Sequence, residues 1–209
     1  MAWLRQNIRS SVATCRDGTV KLVYADPPYL GQCASYEHFH NDGGEMPWDG
    51  ECWDAANTHN KLLSWLAANA DGWAYSCNPS DLHVATGCRQ RKEDGKAVNV
   101  PFRVAAWTKT WHQIRPTTVQ YAWEPVIFQP ARKDNKRKPM VRDWLSCAVT
   151  RQTGQRGAKP DAFNDWILDL LVYETDDEFI DLFPGSHSMQ RALDRFSQRL
   201  AAPPVGTQG

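Results

Sequence analysis

The stretch that most constrains this chain is Asp26-Pro27-Pro28-Tyr29, placed directly after the β-rich run Thr19 to Tyr24. That run has the length and apolar content of a buried strand, and it must stop at the first proline. Two successive prolines fix φ and remove two backbone donors, so the strand's carboxyl end becomes a stiff loop. The loop presents a carboxylate, carbonyls with no neighbouring N–H to satisfy them, and an aromatic ring. Such parts are suited to accepting hydrogen bonds from an exocyclic amino group while a flat ring stacks on its base. The plain alternative is an ordinary strand end with a proline turn.

The rest of the chain alternates strands and helices. Asp54 is a candidate N-cap for a helix reaching about Ala70, with Leu62, Leu63, Trp65 and Leu66 as its apolar stripe. Trp73 to Cys77 reads as the next strand, Asn78-Pro79-Ser80 as the start of a short helix through about Cys88, and Arg89 to Lys96 as a polar break. Phe102 to Trp107 is a third strand and Thr118 to Gln129 a fourth. Pro125 inside the fourth predicts an edge position that closes the sheet. Trp144 and Leu145 predict a loop or short helix. Pro160 opens a helix carrying Phe163, Trp166, Ile167, Leu170 and Leu171 at helical spacing. Glu178 to Leu182 is the last strand, Phe183-Pro184-Gly185-Ser186 a tight turn, and Met189 to Leu200 the last helix. This order predicts one α/β domain over 1–200 with a mixed, mainly parallel sheet, followed by a disordered tail over 201–209. Ligands in such sheets bind beyond the carboxyl ends of strands, and both proline-bearing turns fall at such ends. Leu30 to Trp53 lacks periodicity and leaves the first of these ends, so it reads as a flap over substrate.

Charge matters here by its distribution. The chain has no formal net charge, yet Arg132, Lys133, Lys136, Arg137, Lys138 and Arg142 stand against Asp134 alone, whereas Asp161 to Asp181 carries eight carboxylates and no Lys or Arg. A basic segment over 130–159 is a candidate phosphate contact; a solvated lysine-rich loop is the other reading. Six cysteines without a C-x-x-C pair, and no apolar leader or span, predict a cytoplasmic protein with reduced thiols. Cys33, His38, His40 and Cys52 match no familiar ligand spacing, so no metal is expected.

Asp26-Pro27-Pro28-Tyr29 resembles the catalytic motif of the amino-group DNA methyltransferases, and Asp in its first position is more typical of the adenine enzymes. A second element supports the resemblance. Asp181-Leu182-Phe183-Pro184-Gly185-Ser186-His187 is similar to the family's Asp-x-Phe-x-Gly-Ser-Gly turn, which packs on S-adenosylmethionine. Gly157-Ala158-Lys159-Pro160 resembles the segment that contacts the methionine part of that cofactor. Trp107-Thr108-Lys109 and Trp123-Glu124, ahead of an apolar strand, resemble the family's strand pair after the catalytic loop. The likeness runs from about Val20 to Phe196 in the permuted order, catalytic loop first, and is nearest to short methylase-like proteins of phages and bacteria, some of them in restriction–modification systems.

The resemblance implies a Rossmann-like methyltransferase fold, permuted and truncated after the cofactor-binding strand. It implies Asp26, Pro27, Pro28 and Tyr29 as catalytic residues, and Ala25, Asp26, Lys159, Pro160, Asp181, Phe183, Gly185 and Ser186 around S-adenosylmethionine. DNA is the expected partner, held through Arg132, Lys133, Lys136, Arg137, Lys138 and Arg142. There are two departures from the family pattern. His187 replaces the turn's second glycine, and no later strand supplies an acidic residue for the cofactor ribose. A last strand left as an edge would also invite self-association as a homodimer. Four readings therefore stand: an adenine-N6 DNA methyltransferase, a cytosine-N4 DNA methyltransferase, a DNA-binding protein that keeps the fold without the reaction, and a small-molecule or RNA methyltransferase.

Overall fold

The structure, a computed structural model, describes residues 19–35, 53–87, 90–93, 96–99, 101–110, 116–132, 140–149 and 158–201. Residues 36–52 of the expected flap from Leu30 to Trp53, the basic residues 133–138 and residues 202–209 of the expected tail over 201–209 lie outside the described residues. Strand β1 (Lys21–Ala25) is apolar on both faces, with Leu22, Val23, Tyr24 and Ala25 all buried, as a strand covered on each side must be. It pairs in parallel with β2 (Gly72–Ser76) on one flank and with β8 (Glu178–Asp181) on the other. Beyond β2 lie β6 (Trp123–Gln129), β5 (Arg103–Lys109) and β7 (Trp144–Cys147), so the sheet order is β7-β5-β6-β2-β1-β8. β6 is antiparallel to β2 and β5, while β7 runs parallel to β5.

Helices cover both faces. Leu22, Tyr24, Ala74, Trp107 and Phe128 pack under α3 (Asp161–Leu171) and α4 (Ser188–Ala201). Val23, Ala25, Trp73, Tyr75 and Ile127 pack under α1 (Ala56–Asn69), with Ala85 of α2 (Leu82–Gly87) in the same cluster. The period-2 alternation of the strands thus feeds two cores, one on each side of the sheet. His59 belongs to the second core. Its Nε2 donates to the Trp53 carbonyl at 2.7 Å, so Nδ1 accepts from the Tyr75 hydroxyl at 2.6 Å, and burial lowers its affinity for a second proton. Gly72 is required at the start of β2: a Cβ there would come within 2.6 Å of the Ala131 nitrogen.

Four sequence expectations are corrected. Pro125 does not place its strand at an edge; β6 is interior, between β5 and β2. The proline is tolerated because it lies one residue past the last β2 pair, Ser76 with Val126, where its carbonyl accepts from Cys77 and little of the ladder is forfeited. Trp144 and Leu145 form an edge strand rather than a loop or helix, with Leu145 and Cys147 turned toward the core. Asp54 does not cap α1: Ala55 holds that position without a side-chain bond, and Asp54 accepts from the Cys33 N–H at 3.3 Å. The polar break after α2 carries an antiparallel pair, β3 (Gln90–Glu93) and β4 (Lys96–Asn99). Among the described residues, β8 ends the sheet, and no helix is long and apolar enough to cross a membrane.

Candidate functional site

Parallel strands β1, β2 and β8 end at one edge of the sheet. Because β6 is antiparallel, its first residues reach the same edge, as does the last residue of β5. The topology therefore brings together Asp26 after β1, Glu124 at the start of β6, Lys109 at the end of β5, and Lys159 just ahead of α3. Lys159 Nζ lies 3.1 Å from Asp26 Oδ1, 3.1 Å from Glu124 Oε2 and 2.8 Å from the Tyr29 hydroxyl. The Tyr29 hydroxyl is 2.9 Å from Glu124 Oε2 and 3.5 Å from Asp26 Oδ1. Lys109 donates to the other Glu124 oxygen. Lys159 also stands over the rings of Tyr29, Trp107 and Phe163 at 5.2–5.8 Å.

Burial sets the electrostatics, since the Lys159 side chain is 9% exposed and Asp26 20%. Desolvation pushes the Asp26 carboxyl above its ordinary range; Lys159 opposes that shift and Glu124 adds to it. Burial also pushes Glu124 up, but Lys159 and Lys109 outweigh it and bring its carboxyl down to about 2. For Lys159 the desolvation cost is overcome by Asp26 and Glu124, which hold its ammonium well above the ordinary lysine range. Two neighbouring carboxylates are thus driven apart, the pattern that separates a titrating group from a fixed anion. Cys77 is inert, its thiol pushed up to about 12 by burial.

Beside Tyr29 opens a cleft of about 230 Å³, walled by Tyr121 and Trp123 and bordered by Asn78, Lys109 and Glu124. A second hollow of about 210 Å³ lies at the end of β8, between Asp181, Pro184, His187, Gln190 and Leu193. There Asp181 Oδ1 accepts from the Phe183 N–H at 3.0 Å, and burial pushes its carboxyl up to about 7. Gly185 and His187 both have positive φ, 39° and 55°, in the turn that leads into α4.

The candidate residues read from sequence fall into three groups. Ala25, Asp26, Pro27, Pro28, Tyr29 and Lys159 converge at the end of β1, and Pro160 caps α3 beside them. Asp181, Phe183, Gly185 and Ser186 form the β8 turn, on the neighbouring strand. Of the basic set, the two described members, Arg132 and Arg142, are engaged elsewhere. Arg132 donates to the Asp177 carboxylate at 2.6 and 2.9 Å and to the Val172 carbonyl at 2.8 Å. Arg142 lies over the exposed Trp144 ring at 5.6 Å, and Lys133, Lys136, Arg137 and Lys138 lie outside the described residues. Lys109 and Glu124 were not among the candidate site residues. Their signal was a charge near a tryptophan at the adjoining ends of two successive apolar strands, Trp107-Thr108-Lys109 and Trp123-Glu124.

No family profile matches the sequence, and no curated protein does. Solved structures do. The crystal structure of M1.HpyAVI in complex with SAM matches with a TM-score of 0.53 at 14% identity, over 94% of this chain and 85% of that one. An inferred DNA modification methylase from Thermus thermophilus matches with a TM-score of 0.48 at 12% identity, over 88% and 80%. At such identity the first likeness carries the fold alone, a mixed α/β sheet like that of M1.HpyAVI.

Proposed function

We propose that this chain is a DNA methyltransferase that moves a methyl group from S-adenosylmethionine to the exocyclic amino group of adenine, in the permuted arrangement with its catalytic loop ahead of its cofactor turn. The observation that carries the reading is the convergence of Asp26 and Tyr29, from a motif resembling the family's, in one buried charged network at the carboxyl edge of the sheet. M1.HpyAVI, whose fold this chain shares, was solved with SAM.

The residues present fit that cofactor. A Cβ at Gly185 would meet nothing nearer than the Phe183 carbonyl at 3.7 Å, so the turn's backbone lies open to a ligand. At the start of α3 the buried Asn164 Oδ1 has no hydrogen-bond partner, an acceptor suited to an ammonium at the amino-terminal end of the helix. Asp181, Phe183, Gly185 and Ser186 would hold the cofactor from the β8 side, and Lys159 and Pro160 would border it from the α3 side. When bound, it supplies a methyl group activated on a sulfonium.

The chain's own residues do the rest. Asp26 and the Pro27 carbonyl accept from the amino group and turn its lone pair outward. Tyr29 stacks on the base and returns roughly 1–3 kcal/mol of the few that flipping it out of a duplex costs. Much of the acceleration comes from this positioning. The nitrogen that gains the methyl must lose a proton. Asp26, raised by burial, is the carboxylate able to receive it, whereas Glu124 is held too acidic. Lys133, Lys136, Arg137, Lys138 and Arg142 are the proposed phosphate contacts, on charge alone.

Nucleoside analysis of unmethylated plasmid DNA incubated with the protein and S-adenosylmethionine tests the reading. Methyladenine that vanishes in Asp26→Ala is the expected result, and methylcytosine would move the assignment to cytosine N4. A second reading, a DNA-binding protein without the reaction, is favoured by His187 in a left-handed conformation where the family has glycine. Absence of calorimetric S-adenosylmethionine binding, with DNA present, would overturn the active methyltransferase and leave this second reading as the better account.

A further inference from the structure

Tyr29 and Lys159 both have more than one partner to choose from, and counting their hydrogens decides how they choose. Lys159 has three N–H donors and three acceptors in reach: Asp26 Oδ1, Glu124 Oε2 and the Tyr29 oxygen. Tyr29 has one proton. With Lys159 donating to its oxygen, that proton goes to Glu124 Oε2 at 2.9 Å rather than to Asp26 Oδ1 at 3.5 Å. Lys109 fixes the other Glu124 oxygen. Glu124 therefore absorbs one phenol and two ammonium contacts, and Asp26 is left with a single ammonium on a single oxygen.

We propose that Glu124 is a positioning residue for the methyl transfer: by drawing the Tyr29 hydroxyl and part of Lys159 onto itself, it keeps Asp26 acceptor sites open for the substrate amino group and fixes the ring that stacks on the base. This rests on the methyltransferase reading above. Without Glu124, the Tyr29 hydroxyl and Lys159 both turn to Asp26 and occupy the lone pairs the amino group needs. The carboxylate that does the chemistry and the carboxylate that organises it are then different residues, 98 positions apart in sequence.

The test is single-turnover methylation of plasmid DNA by Glu124→Gln, Tyr29→Phe and the double variant, across a pH range. Glu124→Gln is expected to slow the step roughly 10- to 100-fold, the scale of a charge-assisted hydrogen bond, with the KM for DNA within a factor of about two. Tyr29→Phe removes one of the groups that would crowd Asp26, so the double variant should lose less than the product of the two single losses. The groups facing Asp26 are Lys159, Glu124, Tyr29, Tyr24 of β1, Cys77 after β2 and Asp181 of β8, with Lys109 of β5 reaching it through Glu124. Removing the Glu124 charge leaves Lys159 to Asp26 alone, so the acid limb of the rate profile should move to lower pH. Lys109→Met, which leaves the Glu124 charge less balanced, should move it to higher pH; this variant also serves if Glu124→Gln fails to fold. Additive losses, an effect confined to KM, or an unmoved acid limb would overturn the role of Glu124 while leaving the methyltransferase reading intact. Wild-type protein that methylates nothing would overturn both.

Discussion

The two loops that meet at the carboxyl edge of the sheet are built in opposite ways. The Asp26–Tyr29 loop leaves β1, which has a neighbour on each side, and its side chains are gripped by residues far away in sequence: Glu124 in β6 and Lys159 before α3. The Asp181–His187 turn leaves β8, whose four residues are all half-buried at the end of the sheet. Apart from the Leu182 N–H to the Tyr24 carbonyl and the Phe183 ring against Trp53, its bonds are local: His187 N–H to the Pro184 carbonyl, Arg191 to the Ser186 carbonyl, Phe183 N–H to Asp181. The side chains of the first loop are held by long-range ionic geometry, whereas the polar bonds past Leu182 in the second stay within the turn and its helix. Side-chain substitutions should therefore cripple the first, while backbone substitutions should tune the second.

The largest effect expected from this contrast is on rate. Asp26→Ala should lower methylation by about a thousandfold or more, near 4 kcal/mol of barrier, and single-turnover kinetics measures it. Retention of more than a tenth of the wild-type rate would mean that the first loop is scaffold only. Next comes the stability of the network. Glu124→Ala leaves two ammonium groups, each at most 13% exposed, without their shared carboxylate. Breaking a buried pair from one side costs roughly 3 kcal/mol or more, read as a shift in the urea midpoint. An unchanged midpoint would show that solvent, rather than Glu124, holds Lys109 and Lys159.

The same residue gives the contrast a pH signature. Glu124 is depressed from 4.5 to about 2 in the folded chain. Its contribution is complete above pH 4.5, the ordinary value, and disappears as pH falls toward 2. The contribution at stake is about 3 kcal/mol by proton linkage. Glu124→Gln should accordingly flatten the acid branch of the stability curve between about pH 4.5 and 2 relative to wild type, followed by circular dichroism. Superimposable acid branches would place the acid sensitivity in other carboxylates.

What could be read from sequence follows the same division. The strand ending at Asp26, the helix carrying Phe163 to Leu171 and the turn at Phe183–Ser186 were legible because proline, glycine and helical spacing are local signals. The interior position of β6 was not, because whether a proline sits at an edge depends on which strand lies beside it. Nor was the pairing of Glu124 with Tyr29, 95 residues apart, or the capture of Arg132 by Asp177: a charge in sequence carries no mark of its partner. Asp54 had the chemistry of a cap, but the N–H it satisfies belongs to Cys33.

The smallest expected effect is the one that would sharpen the contrast most. His187 holds φ at 55°, in the region where an L side chain brings its Cβ against backbone. Glycine at this position relieves that strain but adds freedom to the unfolded chain, and the two effects partly cancel. His187→Gly should therefore raise stability by no more than about 1 kcal/mol in thermal unfolding. The exposed imidazole also borders the hollow at the end of β8, so its removal opens the turn's backbone to a ligand. If the turn limits cofactor binding through its backbone, the variant should bind S-adenosylmethionine several-fold more tightly by calorimetry, with the rate of the bound complex unchanged, because the network at Asp26 is untouched. Weaker binding would mean that the imidazole itself contacts the cofactor, and the second loop would then also work through a side chain, erasing the distinction between the two.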